Sequence, residues 1–158
     1  MIRTALYSVI LAALFTLVSC ECPQLGTYLV RNTQTQKYIY ANAQSDLVST
    51  ALRSNALNYQ WRIQGVGLFP FCLVQNLQTN QYLGYTAATK DGDYLRTSTK
   101  QSAFNFTRTP NVNEFQFFLV QNQAESLVMG EQESLRQVRA EKYEKGDNLQ
   151  CWILEKVV

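Results

Sequence analysis

The sequence predicts an all-β fold built from three similar units. A strand-like run that ends in Asn occurs three times, at spacings of 44 and 46 residues. Three large aromatic residues, Trp61, Phe106 and Trp152, keep the same period, with spacings of 45 and 46 residues. A constant period of this length is typical of folds made of copies of one unit that cannot bury its apolar face alone. The three runs are Tyr28–Asn32, Cys72–Asn76 and Phe118–Asn122.

Each unit contains four short segments with strand character. The run that ends in Asn is followed by a polar turn and a second apolar run, and this pattern predicts a hairpin. A third run is rich in β-forming residues, and the fourth carries the large aromatic residue. Twelve strands in three equal units predict a closed barrel capped by three hairpins. The second runs are Tyr38–Tyr40, Tyr82–Tyr85 and Leu127–Met129, and the third runs are Asp46–Thr50, Tyr94–Thr97 and Leu135–Arg139.

The recurrent Asn residues are predicted to fix the hairpin turns. Asn32, Asn76 and Asn122 each stand at the end of a strand-like run. An Asn side chain at such a place forms hydrogen bonds with the backbone of the following residues. We therefore interpret these residues as structural.

The repeats resemble those of the ricin-B-type lectin-like domains, which have the β-trefoil fold. Units of that family contain an aliphatic strand ending in Asn, a turn, a Lys-Tyr-Leu-like strand and a Gln-x-Trp strand. The third repeat keeps the last element whole as Gln150-Cys151-Trp152, whereas the second has lost its Gln and Trp in Phe104–Phe106. The resemblance spans Gln24 to Val158 and implies a single β-trefoil domain. The first-repeat matches are Tyr28–Asn32, Lys37–Ile39 and Asn58–Trp61.

The first twenty residues have the pattern of an export signal. Arg3 precedes an apolar stretch from Ala5 to Val18, and small residues follow. We expect cleavage after Cys20, which leaves residues 21–158 as one secreted domain of three 46-residue units. A bacterial lipoprotein signal is the alternative, in which Cys20 is acylated and anchors the chain. No later segment approaches the roughly 20 apolar residues of a membrane span.

The cysteine count predicts one disulfide and one free thiol. Cys22, Cys72 and Cys151 follow the expected cleavage site, and an odd number leaves one of them unpaired within the chain. A closed three-repeat fold brings its ends together, which favours a Cys22–Cys151 disulfide. Cys72 is then expected to pack as a buried thiol.

Composition argues against most enzymatic and nucleic-acid-binding functions. The chain has no His, which excludes Ser-His and Cys-His nucleophiles and removes the commonest transition-metal ligand. Its 14 Lys and Arg nearly balance its 12 Asp and Glu, so no basic field attracts nucleic acid. The carboxylate pairs Asp91/Asp93 and Glu131/Glu133 are interpreted as solvated surface. We expect a non-enzymatic binding protein that needs no cofactor or metal.

The resemblance to lectin-like domains implies carbohydrate as the ligand. In that family each repeat can hold one sugar pocket, built from a carboxylate or amide and an aromatic ring. Beside the intact motif of the third repeat, Asp147, Asn148 and Gln150 are the predicted sugar-binding residues. A weaker candidate in the first repeat consists of Asn32, Tyr40 and Asn58.

A charged segment of the third repeat suggests a protein partner instead. The stretch from Arg139 to Lys145 lengthens the last connection of that repeat. A projecting rigid loop of this kind would suit a secreted protease inhibitor or an extracellular protein ligand. A structural or storage protein without a specific ligand is a third possibility. The residues predicted for protein contact are Arg139, Glu141, Lys142 and Tyr143.

Asn105-Phe106-Thr107 matches the acceptor pattern for N-glycosylation. We expect Phe106 to be buried and Asn105 to point outward, which would leave Asn105 open to modification in a eukaryotic source.

Overall fold

Twelve strands form one sheet in the computed structural model, which describes residues 22–67, 71–121 and 126–158. Two single 3-10 turns, Leu57–Tyr59 and Asn148–Gln150, precede the fourth strands of the first and third repeats. Within the described residues, no helix has the length and apolar character needed to cross a membrane. The strands are β1 (Gly26–Asn32), β2 (Tyr38–Ala41), β3 (Val48–Ala51), β4 (Trp61–Val66), β5 (Phe71–Asn76), β6 (Tyr82–Gly84), β7 (Arg96–Ser98), β8 (Phe104–Arg108), β9 (Glu114–Leu119), β10 (Leu127–Gln132), β11 (Gln137–Lys142) and β12 (Trp152–Lys156).

Six of the strands close into a ring. Strand β1 pairs with both β12 and β4, β5 pairs with both β4 and β8, and β9 pairs with both β8 and β12. All six contacts are antiparallel. Every strand of the ring therefore has a neighbour on each side, and the ring has no free edge.

The other six strands form three hairpins that cap the barrel. These are β2–β3, β6–β7 and β10–β11. The hairpins also contact one another, because Gln137 of β11 pairs with Ser49 of β3, and isolated bridges join Leu47 to Arg96 and Tyr94 to Arg139. A six-stranded barrel capped by three hairpins is the β-trefoil, so the predicted fold is confirmed.

The repeated aromatic residues join the cap to the barrel. Trp61, Phe106 and Trp152 are completely buried. The indole N–H of Trp61 donates to the carbonyl of Ile39 (3.2 Å), and that of Trp152 donates to the carbonyl of Met129 (2.9 Å). Phe106 has no polar atom and packs against Phe117, with 4.0 Å between ring centroids. The buried Trp donors are thus satisfied by the hairpins that cover them.

The recurrent Asn residues fix the turns as predicted where the structure describes them. Asn76 is completely buried, and its Oδ1 accepts from the backbone N–H groups of Gln78 (3.1 Å) and Thr79 (3.2 Å). Its Nδ2 donates to the carbonyl of Asn58 at 2.8 Å. Asn32 repeats this arrangement in the first unit. Asn122 lies outside the described residues.

The predicted Cys22–Cys151 disulfide is wrong. Cys22 is bonded to Cys72, with 6.1 Å between the two Cα atoms. Among the described cysteines, Cys151 is the free one, and it is buried. The prediction that one thiol remains unpaired holds, but the thiol is not that of Cys72.

Strand direction explains this pairing. Strands β1 and β12 are antiparallel, so Tyr28 lies opposite Lys156 and the start of β1 is beside the end of β12. Cys151 precedes β12 and therefore lies at the other end of β1, about 20 Å along a seven-residue strand. The chain ahead of β1 continues instead along β4, whose Gly65 is paired with Cys72.

We expect Asn76→Ala to destabilise the fold by about 2–3 kcal/mol, because it leaves buried backbone groups without their partners. The free energy of unfolding from a denaturant titration measures the loss. Gln78→Ala, at an exposed position of the same turn, should change it by less than about 0.5 kcal/mol. Equal effects of the two substitutions would contradict the role assigned to Asn76.

We also expect the Cys151 thiol to be unreactive in the folded chain. Burial, followed by the charge of Glu114, raises the pKa of Cys151 to about 11, so at pH 8 only about one thiol in a thousand is a thiolate. In a chain that begins at Glu21, a thiol reagent should label Cys151 only after unfolding in guanidinium. Cys151→Ser should abolish the labelling. Rapid labelling of one native thiol would contradict the assigned disulfide or the burial of Cys151.

Candidate functional site

The three hairpins present three equivalent positions on the surface of the cap. These positions are Tyr40, Gly84 and Gly130. Tyr40 and Gly130 directly follow the residues whose carbonyls accept from Trp61 and Trp152, and Gly84 follows Leu83, the corresponding residue of the second repeat. The opposite strand of each hairpin places Ser49, Arg96 or Arg139 across from this position. The next residue on the same face of that strand is Ala51, Ser98 or Glu141. Differences among these residues decide whether a groove is open or filled.

In the first repeat, two aromatic side chains fill this position. The rings of Tyr40 and Tyr59 are stacked, with 5.0 Å between centroids and 18° between planes. Burial and the neighbouring Tyr40 raise the pKa of Tyr59. The Asn58 amide donates to the carbonyl of Ala41 at 3.3 Å, so it is engaged within the hairpin.

In the third repeat, a carboxylate of the chain fills the groove. Glu141 is 7% exposed and forms an ion pair with Arg139. The amide of Gln150 also donates to it, at 3.4 Å. The carboxylate lies so close to Gly130 that a Cβ at that position would overlap it. Glu141 therefore occupies the space over Gly130.

In the second repeat, the equivalent groove is open. Its volume is about 490 Å³. The position that corresponds to Glu141 is Ser98, and a Cβ added to Gly84 would have no neighbour closer than 3.4 Å. We call this cavity the second-repeat groove, and its principal lining residues are Asp46, Gly84, Tyr85, Asp93, Tyr94, Arg96, Ser98 and Lys100.

Two tyrosines line the second-repeat groove, and their hydroxyl groups form hydrogen bonds with residues outside the groove. The hydroxyl of Tyr85 accepts from the N–H of Val120 at 2.8 Å, and its ring contacts the edge of Phe104. Burial raises the pKa of Tyr85. The hydroxyl of Tyr94 donates to Gln132 at 3.2 Å. Both rings thus have restricted orientations before any ligand binds.

A tight turn places Asp93 at the rim of the groove. Gly92 has a φ of +88°, which favours glycine, and its N–H donates to the carbonyl of Ala140 in β11 at 2.8 Å. The Asp93 carboxylate accepts from the N–H of Lys90 at 2.8 Å. Contact with the neighbouring hairpin therefore holds the turn in place, and the bond to Lys90 orients the carboxylate.

Both signs of charge occur in the groove. Arg96 and Asp46 form an ion pair of 2.5 Å, and each side chain is 53% exposed. Such an exposed pair contributes about 0–1 kcal/mol to stability, so a ligand can compete for either partner at small cost. Lys100 also lines the groove.

The residues predicted for sugar binding in the third repeat have structural contacts. Asp147 accepts from the N–H of Leu149 at 2.9 Å and caps the 3-10 turn. Gln150 is 2% exposed, donates to the carbonyl of Lys142 at 2.9 Å and accepts from the N–H of Glu144 at 2.9 Å. Asn148 is exposed. The three residues are neighbours, but Glu141 fills the groove beside them.

The segment predicted as a projecting protein-contact loop is largely a strand. Residues Arg139 to Lys142 belong to β11 and pair with β10, with Arg139 opposite Gly130 and Lys142 opposite Leu127. Glu141 is buried, whereas Lys142 and Tyr143 are exposed. The loop interpretation is therefore corrected for Arg139, Glu141 and Lys142, because the extra length extends a hairpin instead of projecting.

Asn105 lies in β8 and is half-buried, and its Oδ1 is buried. Phe104 and Phe106 are completely buried, so Asn105 lies on the opposite, outward face of β8 as the sequence predicts, while glycosylation itself stays a prediction.

Solved structures with the same fold include lectins. The Rhizoctonia solani agglutinin is 17% identical, with a TM-score of 0.73 over 85% of this chain and 97% of the agglutinin. A ricin B-like lectin of Macrolepiota procera, solved in complex with lactose, is also 17% identical, with a TM-score of 0.72 over 83% of this chain and 95% of the lectin. The chain has the β-trefoil fold of the ricin-B-like lectins.

The same β-trefoil also occurs as part of larger proteins. A Clostridium perfringens endo-β-galactosidase that releases GlcNAcα1-4Gal matches 84% of this chain over 32% of its own length, at 17% identity and a TM-score of 0.72. No protein-family model matches the sequence, and no curated protein matches it either.

Sequence reasoning missed the second-repeat groove because it followed the intact Gln-x-Trp element into the third repeat. It assigned Asp93 to solvated surface and gave no role to Asp46, Tyr85 or Arg96. A signal was present in the sequence, since Gly84 and Gly130 occupy the position held by Tyr40. Its meaning depends on the cross-strand register, which pairs those positions with their neighbours.

We expect Gly130→Ala to destabilise the fold by about 1–3 kcal/mol. The added methyl group overlaps Glu141, which can move only by giving up its bonds to Arg139 and Gln150. Gly84→Ala, the matched change in the second repeat, should cost less than about 1 kcal/mol because its neighbours are at ordinary contact distance.

A double-mutant cycle identifies the cause. Glu141→Ser should remove most of the penalty of Gly130→Ala in denaturant unfolding. Additive effects of the two substitutions would show that Glu141 does not fill the third-repeat groove.

Proposed function

We propose that this protein is a non-enzymatic, lectin-like carbohydrate-binding protein and that the second-repeat groove is its binding site. One observation carries the proposal. Among the three equivalent positions in the described structure, the first is filled by stacked tyrosines, the third is filled by Glu141, and the second is a cavity of about 490 Å³. This volume is within the usual range for small-ligand sites.

The groove contains the groups that sugar recognition requires. Tyr85 and Tyr94 offer aromatic carbon for the C–H faces of a sugar ring. The carboxylates of Asp46 and Asp93 can accept hydrogen bonds from sugar hydroxyls, and the hydroxyl of Ser98 can donate or accept. The rigid placement of the tyrosines and of Asp93 reduces the ordering cost on binding.

A single open groove implies weak, monovalent binding. A small polar site of this kind typically has a Kd in the micromolar to millimolar range. Multivalent enhancement needs several working sites on one particle, so a monomeric chain should bind glycans without cross-linking cells.

We further propose that the chain acts outside the cytoplasm. The pattern around Arg3 and the apolar stretch to Val18 supports export, although these residues lie outside the described part of the structure. The Cys22–Cys72 disulfide is compatible with an oxidising compartment. Lipid attachment at Cys20 is the alternative for a bacterial source.

A glycan array with the chain that begins at Glu21 tests the proposal. We expect selective binding by the unmodified chain, and Ser98→Ala, which removes one hydroxyl without filling the groove, should weaken it by only a few-fold. Ser98→Glu should weaken binding by roughly tenfold or more, because it places in the second repeat the carboxylate that fills the third. Asp147→Ala, in the site predicted from sequence, should bind like the unmodified chain.

The outcomes separate three possibilities. Loss of binding with Ser98→Glu alone supports the second-repeat groove. Loss with Asp147→Ala alone would keep carbohydrate binding but move the site to the third repeat. A blank array with a folded protein would contradict carbohydrate binding and favour a protein partner, for which Lys142 and Tyr143 are the first exposed residues to test.

A further inference from the structure

The third-repeat groove shows which chemical group this type of groove can hold. The Glu141 carboxylate lies over Gly130, where the absence of a Cβ makes room for it. The guanidinium of Arg139, across the hairpin from Gly130, forms an ion pair with it. The group that fills this groove is thus the carboxylate of Glu141, a residue of the chain itself. Glu141 is only 7% exposed, whereas carboxylates at protein surfaces are ordinarily solvated.

The second-repeat groove repeats this arrangement without its internal carboxylate. Gly84 corresponds to Gly130, and Arg96 lies across the hairpin from Gly84 as Arg139 lies across from Gly130. Ser98 replaces Glu141. The glycine floor and the arginine are therefore present in both grooves, whereas the carboxylate is supplied by the protein in only one of them.

We propose that the second-repeat groove binds an acidic saccharide, whose carboxylate lies over Gly84 and pairs with Arg96. This inference rests on the proposed carbohydrate-binding function and specifies its ligand class. Uronic and sialic acids are the sugars that carry such a carboxylate. The sugar ring attached to it then lies near Tyr85 and Tyr94.

The other charges in the groove set conditions on this binding mode. Arg96 is already paired with Asp46, but a guanidinium has five N–H donors and can serve two carboxylates. Lys100 adds a second positive charge, while Asp93 at the rim is a negative charge that a ligand carboxylate must avoid. The carboxylate position over Gly84, rather than the rim, is consequently the favoured one.

The test compares sugars that differ only in a carboxylate. Glucuronate-terminated and glucose-terminated oligosaccharides, which differ only at C6, form one pair, and sialyllactose and its carboxyl methyl ester form another. Isothermal titration should give a Kd at least roughly tenfold lower for the acidic member of one pair, as expected for a charge-assisted hydrogen bond. This preference should shrink as salt rises.

Three variants locate the effect. Arg96→Gln should abolish the acidic preference, so that the acidic and neutral members of a pair bind with similar Kd values. Arg62→Gln, which removes the same charge from an exposed position of β4, should retain the preference. Asp46→Asn should increase the ratio of neutral to acidic Kd values, because it removes the carboxylate that competes for Arg96.

The failure of this inference can be told apart from the failure of the proposed function. Binding of neutral sugars with no acidic preference, or a preference that survives Arg96→Gln, overturns the acidic-ligand inference alone. Absence of binding to any sugar overturns both. Thermal unfolding is measured for each variant. A midpoint equal to that of the unmodified chain shows that a loss of the acidic preference does not come from unfolding.

Discussion

The contact between the barrel aromatics and the hairpin cap is the constraint on which the rest of the structure depends. A hairpin alone is at best marginally stable in water, and each repeat here has a large, completely buried ring in the barrel strand that follows its hairpin. In two repeats an indole N–H also bonds a hairpin carbonyl, so the height and rotation of the hairpin relative to the barrel are specified. The position after that carbonyl then faces away from the core and is free to vary.

This separation explains how one scaffold holds three different grooves. The residues that anchor each hairpin are apolar in every repeat, whereas the adjacent position carries a tyrosine or a glycine. Side chains from the opposite strand or from the following turn then fill the space or leave it empty. These places lie outside the barrel interior and the Asn-centred turns, so the residues there can differ between repeats that keep the same barrel.

The fold was predictable from sequence because the same pattern of buried residues recurs in each of the three units. Each unit must bury the same face, so Trp61, Phe106 and Trp152 recur in phase, and the strands follow from the polar turns between them. The disulfide was not predictable from proximity of the termini, because antiparallel pairing puts Cys151 at the far end of β1. The groove was missed for a related reason. Whether a groove is open or filled depends on one residue of the strand opposite its glycine, which is Ser98 in the second repeat and Glu141 in the third. Sequence patterns identify strands more readily than they identify which residues are opposite one another.

The Cys22–Cys72 bond encloses the whole first repeat in a covalent loop with a sequence separation of 50 residues. Closing a loop of this length lowers the entropy of the unfolded chain by an amount worth about 4 kcal/mol in the loop-closure model. It also has a consequence for the lifetime of the protein where proteases are present. A single backbone cut anywhere between the two cysteines leaves the fragments joined, so the first repeat can be nicked and still remain attached to the other two.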